Sequence, residues 1–183
     1  MAIREIVRLG HPALRTPAEE ISGPVSGNLE LQTLIDDLLE TMTDAEGVGL
    51  AAPQVGVGLQ LFVYGVPAVA VDSEPLIPAT VIVNPMVEPE PGEAVYDWEG
   101  CLSIPDLRGL VPRHPSVRVR AVDRHGESLD FLVSGFEARV IQHEFDHLNG
   151  VLFLDRMHDL HSLSYADEWE RYLAGPSDSA DGF

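Results

Sequence analysis

The sequence predicts an α+β fold of antiparallel strands around a central helix, with an amphipathic helix near the N-terminus and a short helix near the C-terminus. Three observations predict it. Apolar residues recur at the roughly 3.6-residue helical period from Leu31 to Met42. Several short β-rich segments, bounded by Gly, Pro or Asn, fill the middle of the chain. A second helical segment, opening at Ser134, carries closely spaced histidines and acids.

Taken in order, the stretch through Pro24 contains Gly10-His11-Pro12 and Thr16-Pro17 and reads as an irregular arm. Asn28 is a good helix N-cap with Glu30 in the first turn. Leu31, Leu34, Ile35, Leu38, Leu39 and Met42 then form an apolar stripe opposite Asp36, Asp37 and Glu40, and Gly47 supplies a stop. Strands are expected over Leu59–Tyr64, Thr80–Val83, Ser116–Val122 and Ser128–Val133. Asp123-Arg124-His125-Gly126 makes the hairpin turn between the last two, and Pro67–Pro78 and Pro89-Glu90-Pro91-Gly92 read as loops. Ser134-Gly135-Phe136-Glu137 has the form of a capping box, and Asn149-Gly150 that of a helix end. A weaker helix includes Ala166–Leu173. With 183 residues the chain suits one domain, placed at residues 1–175, followed by an acidic frayed tail over 176–183.

Thirty acidic residues stand against 11 basic ones, for a net charge of −19. All the basic residues are arginine, so chemistry that needs a lysine, such as a Schiff base or a phosphate-binding loop, is excluded. The charge also excludes a general electrostatic grip on nucleic acid. No secretory signal or membrane span is visible, and the expected location is the cytoplasm. The lone Cys101 has no partner for an internal disulfide, which turns attention to metal binding or reactivity.

The second helix contains His143-Glu144-Phe145-Asp146-His147. Histidines at i and i+4 project from one helical face and can share a metal, while Glu144 between them can act as general base. A catalytic site needs a third protein ligand and an open position. Glu168 or Glu170 would complete a two-His-plus-Glu site of the zinc-peptidase kind, whereas Cys101 would complete a two-His-plus-Cys site. Spacing alone leaves both open.

The neighbourhood of Cys101 separates them. Glu99-Gly100-Cys101-Leu102-Ser103 resembles the EGCLS motif of the peptide deformylases. Gly47-Val48-Gly49-Leu50-Ala51-Ala52-Pro53-Gln54 resembles that family's GxGLAAxQ motif, and Gln142–His147 its QHExDH motif, all in the family's order. The resemblance runs from about residue 5 to residue 157 and implies the peptide-deformylase fold. It implies hydrolysis of the formyl group from N-formylmethionyl nascent peptides, with release of formate. It assigns Cys101, His143 and His147 as metal ligands, Glu144 as acid/base, and Gln54 and the Leu102 N–H as oxyanion donors. It further implies main-chain pairing of the peptide with Val48 and Gly100, and a Glu99–Arg113 pair that holds the ligand loop. One divalent ion is expected, Fe2+ physiologically, with Zn2+, Ni2+ or Co2+ able to replace it. A related domain that binds peptides without turnover is disfavoured, because every expected catalytic residue is present.

Counting back from His143 places Val140 and Phe136 on the ligand face, as candidates with Val48 for the wall of the methionine pocket. Gly47 and Gly49 are expected to leave the backbone bare for an extended peptide. Arg139 is expected to cover the pocket rim with its stem while its charge stays wet. Some relatives dock on the ribosome through a basic C-terminal helix. From Asp155 onward this chain has seven acidic residues and only Arg156 and Arg171, which argues against that mode although not against work beside the ribosome.

Overall fold

The computed structural model describes residues 2–67 and 76–174. The helix α1 spans Leu29–Asp44, and the Asn28 side chain caps it by accepting from the Leu31 N–H at 3.1 Å. The strands β1 (Gly49–Ala51), β2 (Leu61–Val66), β3 (Ile77–Pro89), β6 (Ser116–Val122) and β7 (Ser128–Ser134) form one antiparallel sheet in the order β1-β2-β3-β6-β7. The strands β4 (Val95–Cys101), β5 (Ile104–Arg113) and the two-residue β8 (Ser164–Tyr165) form a second sheet in that order. The helix α2 runs over Gly135–Leu148, followed by α3 (Phe153–Arg156) and α4 (Ala166–Tyr172). The architecture is α+β, with helices and antiparallel sheets in separate layers.

The large sheet lies between the two long helices, and the pleat of β2 shows why. Leu61 and Val63 point to α1, where Leu31, Leu34, Ile35, Leu38 and Met42 meet them. Phe62 and Tyr64 point to the other face, where Ala138, Val140, Ile141 and Leu148 of α2 cover them. A strand buried on both faces has no polar alternation, as the sequence of β2 shows. Each fully buried leucine or isoleucine here contributes about 1.5–3 kcal/mol of transfer free energy. A third apolar cluster joins Leu14, Ile104, Val111, Leu152, Phe153 and Met157 around Cys101.

Several expectations are corrected. Gly47 does not end α1: the helix stops at Asp44, and Glu46 takes the left-handed conformation, with φ of 53°. The β3 strand is much longer than Thr80–Val83. It carries a bulge at Asn84-Pro85, with Asn84 at φ of 50°. The Asn84 side chain binds both the N–H and the C=O of Ile21, which fastens the N-terminal arm to the sheet. Ile77 and Pro78 belong to β3, and residues 68–75 of the predicted loop lie outside the described residues. The arm is irregular as expected, but a 3-10 turn over Pro12–Arg15 interrupts it. No capping box forms at Ser134, because Glu137 instead accepts from the Tyr64 hydroxyl at 2.9 Å. The final helix stops at Tyr172, and the tail over 176–183 lies outside the described residues.

The strands β4 and β5, which flank Cys101, carry no periodic signal. Val95–Cys101 lacks alternation, and Pro105, Gly109 and Pro112 interrupt the apolar residues of β5. Pairing with β4 makes them strands, and the prolines lie outside Leu107 and Arg108, where β8 pairs.

Candidate metal centre

Two elements meet at the site. The β4–β5 hairpin presents Cys101 at its tight turn, and α2 presents His143 and His147 one helical turn apart on the same face. The three ligand-capable atoms lie within 4.8 Å of one another, and all three residues are buried. Cys101 Sγ is 3.3 Å from His147 Nε2. Glu168 and Glu170 are not in this cluster: they sit on α4, where Glu168 pairs with Arg171 at the surface. The two-His-plus-Glu alternative is thereby set aside.

His143 is oriented from behind. Its Nδ1 lies 3.0 Å from Glu99 Oε2, which turns the other ring nitrogen toward the sulfur side. Glu99 is fully buried and is gripped by Arg113, Nε to Oε1 at 2.9 Å and a terminal nitrogen to Oε2 at 3.0 Å. Arg113 reaches on to Asp146 at 2.5 Å, and Arg156 closes the chain of charges on Asp146 at 2.6 Å. Burial alone would raise the Glu99 carboxyl, but the hydrogen bonds and charges of His143 and Arg113 outweigh it and hold it well below the usual carboxylate range. Burial lowers the pKa of His147 and favours its neutral imidazole, the form that ligates metals.

Glu144 is buried beside the cluster, and burial pushes its carboxyl up to about 7. The space beside Gly47 and Gly49, expected to be left bare, is filled from within the chain. A Cβ on Gly49 would come within 2.4 Å of Glu144 Oε1, and one on Gly47 within 2.8 Å of Leu102 Cδ1. The missing side chains make room for this chain's own Glu144 and Leu102.

Gln54 is buried on a 3-10 turn over Ala52–Val55. Its Oε1 accepts from the Ala51 N–H at 2.8 Å, which aims its Nε2 at Cys101 Sγ, 3.6 Å away, and at Ser103 Oγ, 3.4 Å away. Leu102 occupies the two-residue turn between β4 and β5, where its N–H stands outside the strand ladder. Val48 leads into β1, an edge strand of the large sheet, and Gly100 belongs to β4, an edge strand of the small one. The Val48 carbonyl already accepts from the Gly65 N–H at 2.9 Å, so a second donor would use its remaining lone pair. Val48, Val140 and Phe136 pack in one apolar cluster.

Arg139 departs from its expected position. It is buried, not wet, and donates to Glu99 Oε1 at 2.8 Å, to the Val111 carbonyl at 2.9 Å and to the Val95 carbonyl at 2.7 Å. Sequence reasoning missed this role because its partners, Glu99, Val95 and Val111, lie on strands that carry no periodic signal.

The donor set fits a metal. One thiol and two imidazoles converge in a buried site, and the buried Glu144 Oε2 has no hydrogen-bond partner among the described residues. Fold and site together define a class: an α+β enzyme with a buried Cys-His-His centre and an enclosed carboxylate beside it. The polypeptide deformylase family model matches residues 3–162. Peptide deformylase 1 of Nitrosomonas europaea is 44% identical over 166 residues, covering 90% of this chain and 93% of that protein. A class I type b peptide deformylase from Acinetobacter baumannii, solved with Met-Ala-Ser bound, superposes with a TM-score of 0.78 at 35% identity, over 85% of this chain and 99% of that one. A peptide deformylase from Synechococcus elongatus in complex with actinonin gives a TM-score of 0.75 at 40% identity, over 85% of this chain and 79% of that one. The chain belongs to the polypeptide deformylase family.

Proposed function

We propose that this enzyme hydrolyses the formyl group from the N-formylmethionine of nascent polypeptides and releases formate, using one divalent metal ion held by Cys101, His143 and His147. The observation that carries the reading is the meeting of those three donors with an enclosed Glu144 and an amide, Gln54 Nε2, aimed at the sulfur. When bound, the metal supplies Lewis acidity that lowers the pKa of a water and polarises the formyl carbonyl. Glu144 takes the proton from the attacking water and passes it to the departing amine nitrogen, so that water and formamide become formate and a free amine. As charge grows on the formyl oxygen, Gln54 Nε2 and the Leu102 N–H donate to it, each contributing about 3–4 kcal/mol.

The peptide enters extended, between the β1 and β4 edges, and pairs with main-chain groups of Val48, Gly49 and Gly100. Phe136, Val140 and Val48 line the methionine pocket. The Met-Ala-Ser carried by the Acinetobacter relative begins with the residue this pocket would take. Glu99, held by Arg113, keeps His143 in ligand orientation. Fe2+ is the physiological ion in this reading, the work is cytoplasmic and beside the ribosome, and the acidic C-terminal region keeps the enzyme from docking on RNA. Among the described residues, no helix is long and apolar enough to cross a membrane.

The test is formate release from formyl-Met-Ala-Ser by protein loaded anaerobically with Fe2+, run beside acetyl-Met-Ala-Ser. The formyl peptide reacts at least a hundredfold faster. Comparable rates on the two peptides, or unchanged metal content in Cys101→Ser, would overturn the assignment.

A further inference from the structure

We propose that Arg139 is a positioning residue of the metal centre: it clips the strand pair bearing Cys101 to the helix bearing both histidines. The inference rests on the metal-site reading of Cys101, His143 and His147. Glu99 does not need Arg139 for its own neutralisation, because Arg113 already bonds both of its oxygens and His143 shares one of them. A second buried guanidinium is costly to desolvate, so its place calls for a return elsewhere. Its three contacts supply it. From α2, one turn ahead of His143, Arg139 reaches the Glu99 carboxylate and the Val95 carbonyl on β4, and the Val111 carbonyl on β5. A planar fork of donors thus grips both strands of the hairpin and the carboxylate behind His143. The hairpin sets the position of the sulfur, and α2 sets the imidazoles. Arg113 spans the same gap in the reverse sense, from β5 to Asp146 on α2. With both arginines in place, two separate tethers join the two ligand-bearing elements.

The experiment titrates Co2+ anaerobically into the full chain and follows the thiolate-to-cobalt charge-transfer band, with circular dichroism as the check on folding. Arg139→Met folds, binds Co2+ at least tenfold more weakly than the parent, and shows a shifted or broadened band. Arg139→Lys recovers at least threefold of that loss, since an ammonium can still reach Glu99 although it cannot also hold both carbonyls. If the methionine variant does not fold, Arg139→Gln is read by the same titration, with the same weakening expected. Parent-like affinity and spectrum in the neutral variant overturn the proposal, as does a lysine variant that binds no better than the methionine one. A parent chain that shows no thiolate band with Co2+ takes down the metal-site reading and this proposal with it. A parent that shows the band beside an equal methionine variant takes down the role of Arg139 alone.

Discussion

Glu144 is the residue whose chemistry is most exposed to test, because its enclosure has two separable consequences. In catalysis, Glu144→Gln keeps the shape but cannot take the water proton, so single-turnover formate release falls at least ~100-fold while metal content stays that of the parent. In folding, a carboxyl raised from an ordinary value near 4.5 to about 7 is penalised when charged. The folded chain therefore holds its proton more tightly than the unfolded one, and stability falls as pH rises between those two values. For the metal-free chain, Glu144→Gln should unfold later than the parent at pH 8, by about 3 kcal/mol, and equally at pH 4. Urea titrations at the two pH values check this, and an equal gap at both would show that the carboxyl is not the cause. Cys101 carries the second residue-scale prediction. If iron is the ion held there, as proposed, the Cys101 thiolate would be open to oxidation by dioxygen toward sulfinic and sulfonic acid. The Fe2+ form should lose activity in air much faster than the Ni2+ form, with added oxygen found by mass spectrometry on the Cys101 peptide. Equal air stability with Cys101 unmodified would remove the iron reading and leave the hydrolytic one standing.

Among the elements, β1 and α2 are locked by a contact that tolerates no extra atom. A Cβ at residue 49 would fall 2.4 Å from Glu144 Oε1 and 2.9 Å from its Cγ, and the middle of a buried helix has little freedom to retreat. Gly49→Ala should keep the fold at a cost of about 1–3 kcal/mol, typical of overpacking. It should reduce formate release more than tenfold by displacing the carboxylate. Gly58, where a Cβ meets nothing within 4 Å, is the control, and its alanine variant should match the parent in both measurements. Similar activity in the two variants would mean that Glu144 is not held by Gly49. The same logic explains why the β4–β5 hairpin stays in place despite its poor strand composition: Arg113 and Arg139 bind it to α2 through Glu99, Asp146 and two main-chain carbonyls.

At the scale of the whole molecule, the N-terminal arm wraps the domain and links its parts. Its Val7 N–H donates to the Gln54 carbonyl and its Leu9 N–H to the Ser103 carbonyl, so the arm braces two segments that also bear on the metal centre. Its start is tied to α1 by Asp37, which accepts from the Ala2 N–H at 2.7 Å and from Arg4 Nε at 3.0 Å. Burial would raise that carboxyl, but these bonds and the Arg4 charge prevail and hold it below the ordinary value. A depressed carboxyl stabilises the fold above its unfolded pKa of about 4 and loses that contribution as pH falls through the folded value. The protection of residues 2–9 against hydrogen exchange, taken relative to the intrinsic rate at each pH, should therefore fall below about pH 4, and Asp37→Asn should show the low protection already at pH 6. The asparagine control is needed because acid also relieves the repulsion of a chain with net charge −19, which works in the opposite direction. Slow exchange in Asp37→Asn at pH 6 would show that the arm is held without this carboxylate.

Features that depend on near neighbours in the chain were legible from the residues alone. The period of α1, the Asn28 cap, the hairpin of β6 and β7, and the two histidines on one helical face are all set by residues a few positions apart. The third member of the cluster was legible only through the motif around Cys101, since it lies 42 positions before His143 and no local rule spans that gap. What the intervening chain contributes emerged only with long-range packing. It made strands of β4 and β5 by pairing them, filled the spaces at Gly47 and Gly49 with Leu102 and Glu144, and drew Arg139 inward to Glu99. The physical reason is common to all three. A buried charge or a missing Cβ is explained by the atom that comes to occupy the space beside it, and that atom arrives from a distant part of the chain only when the sheets and helices have closed.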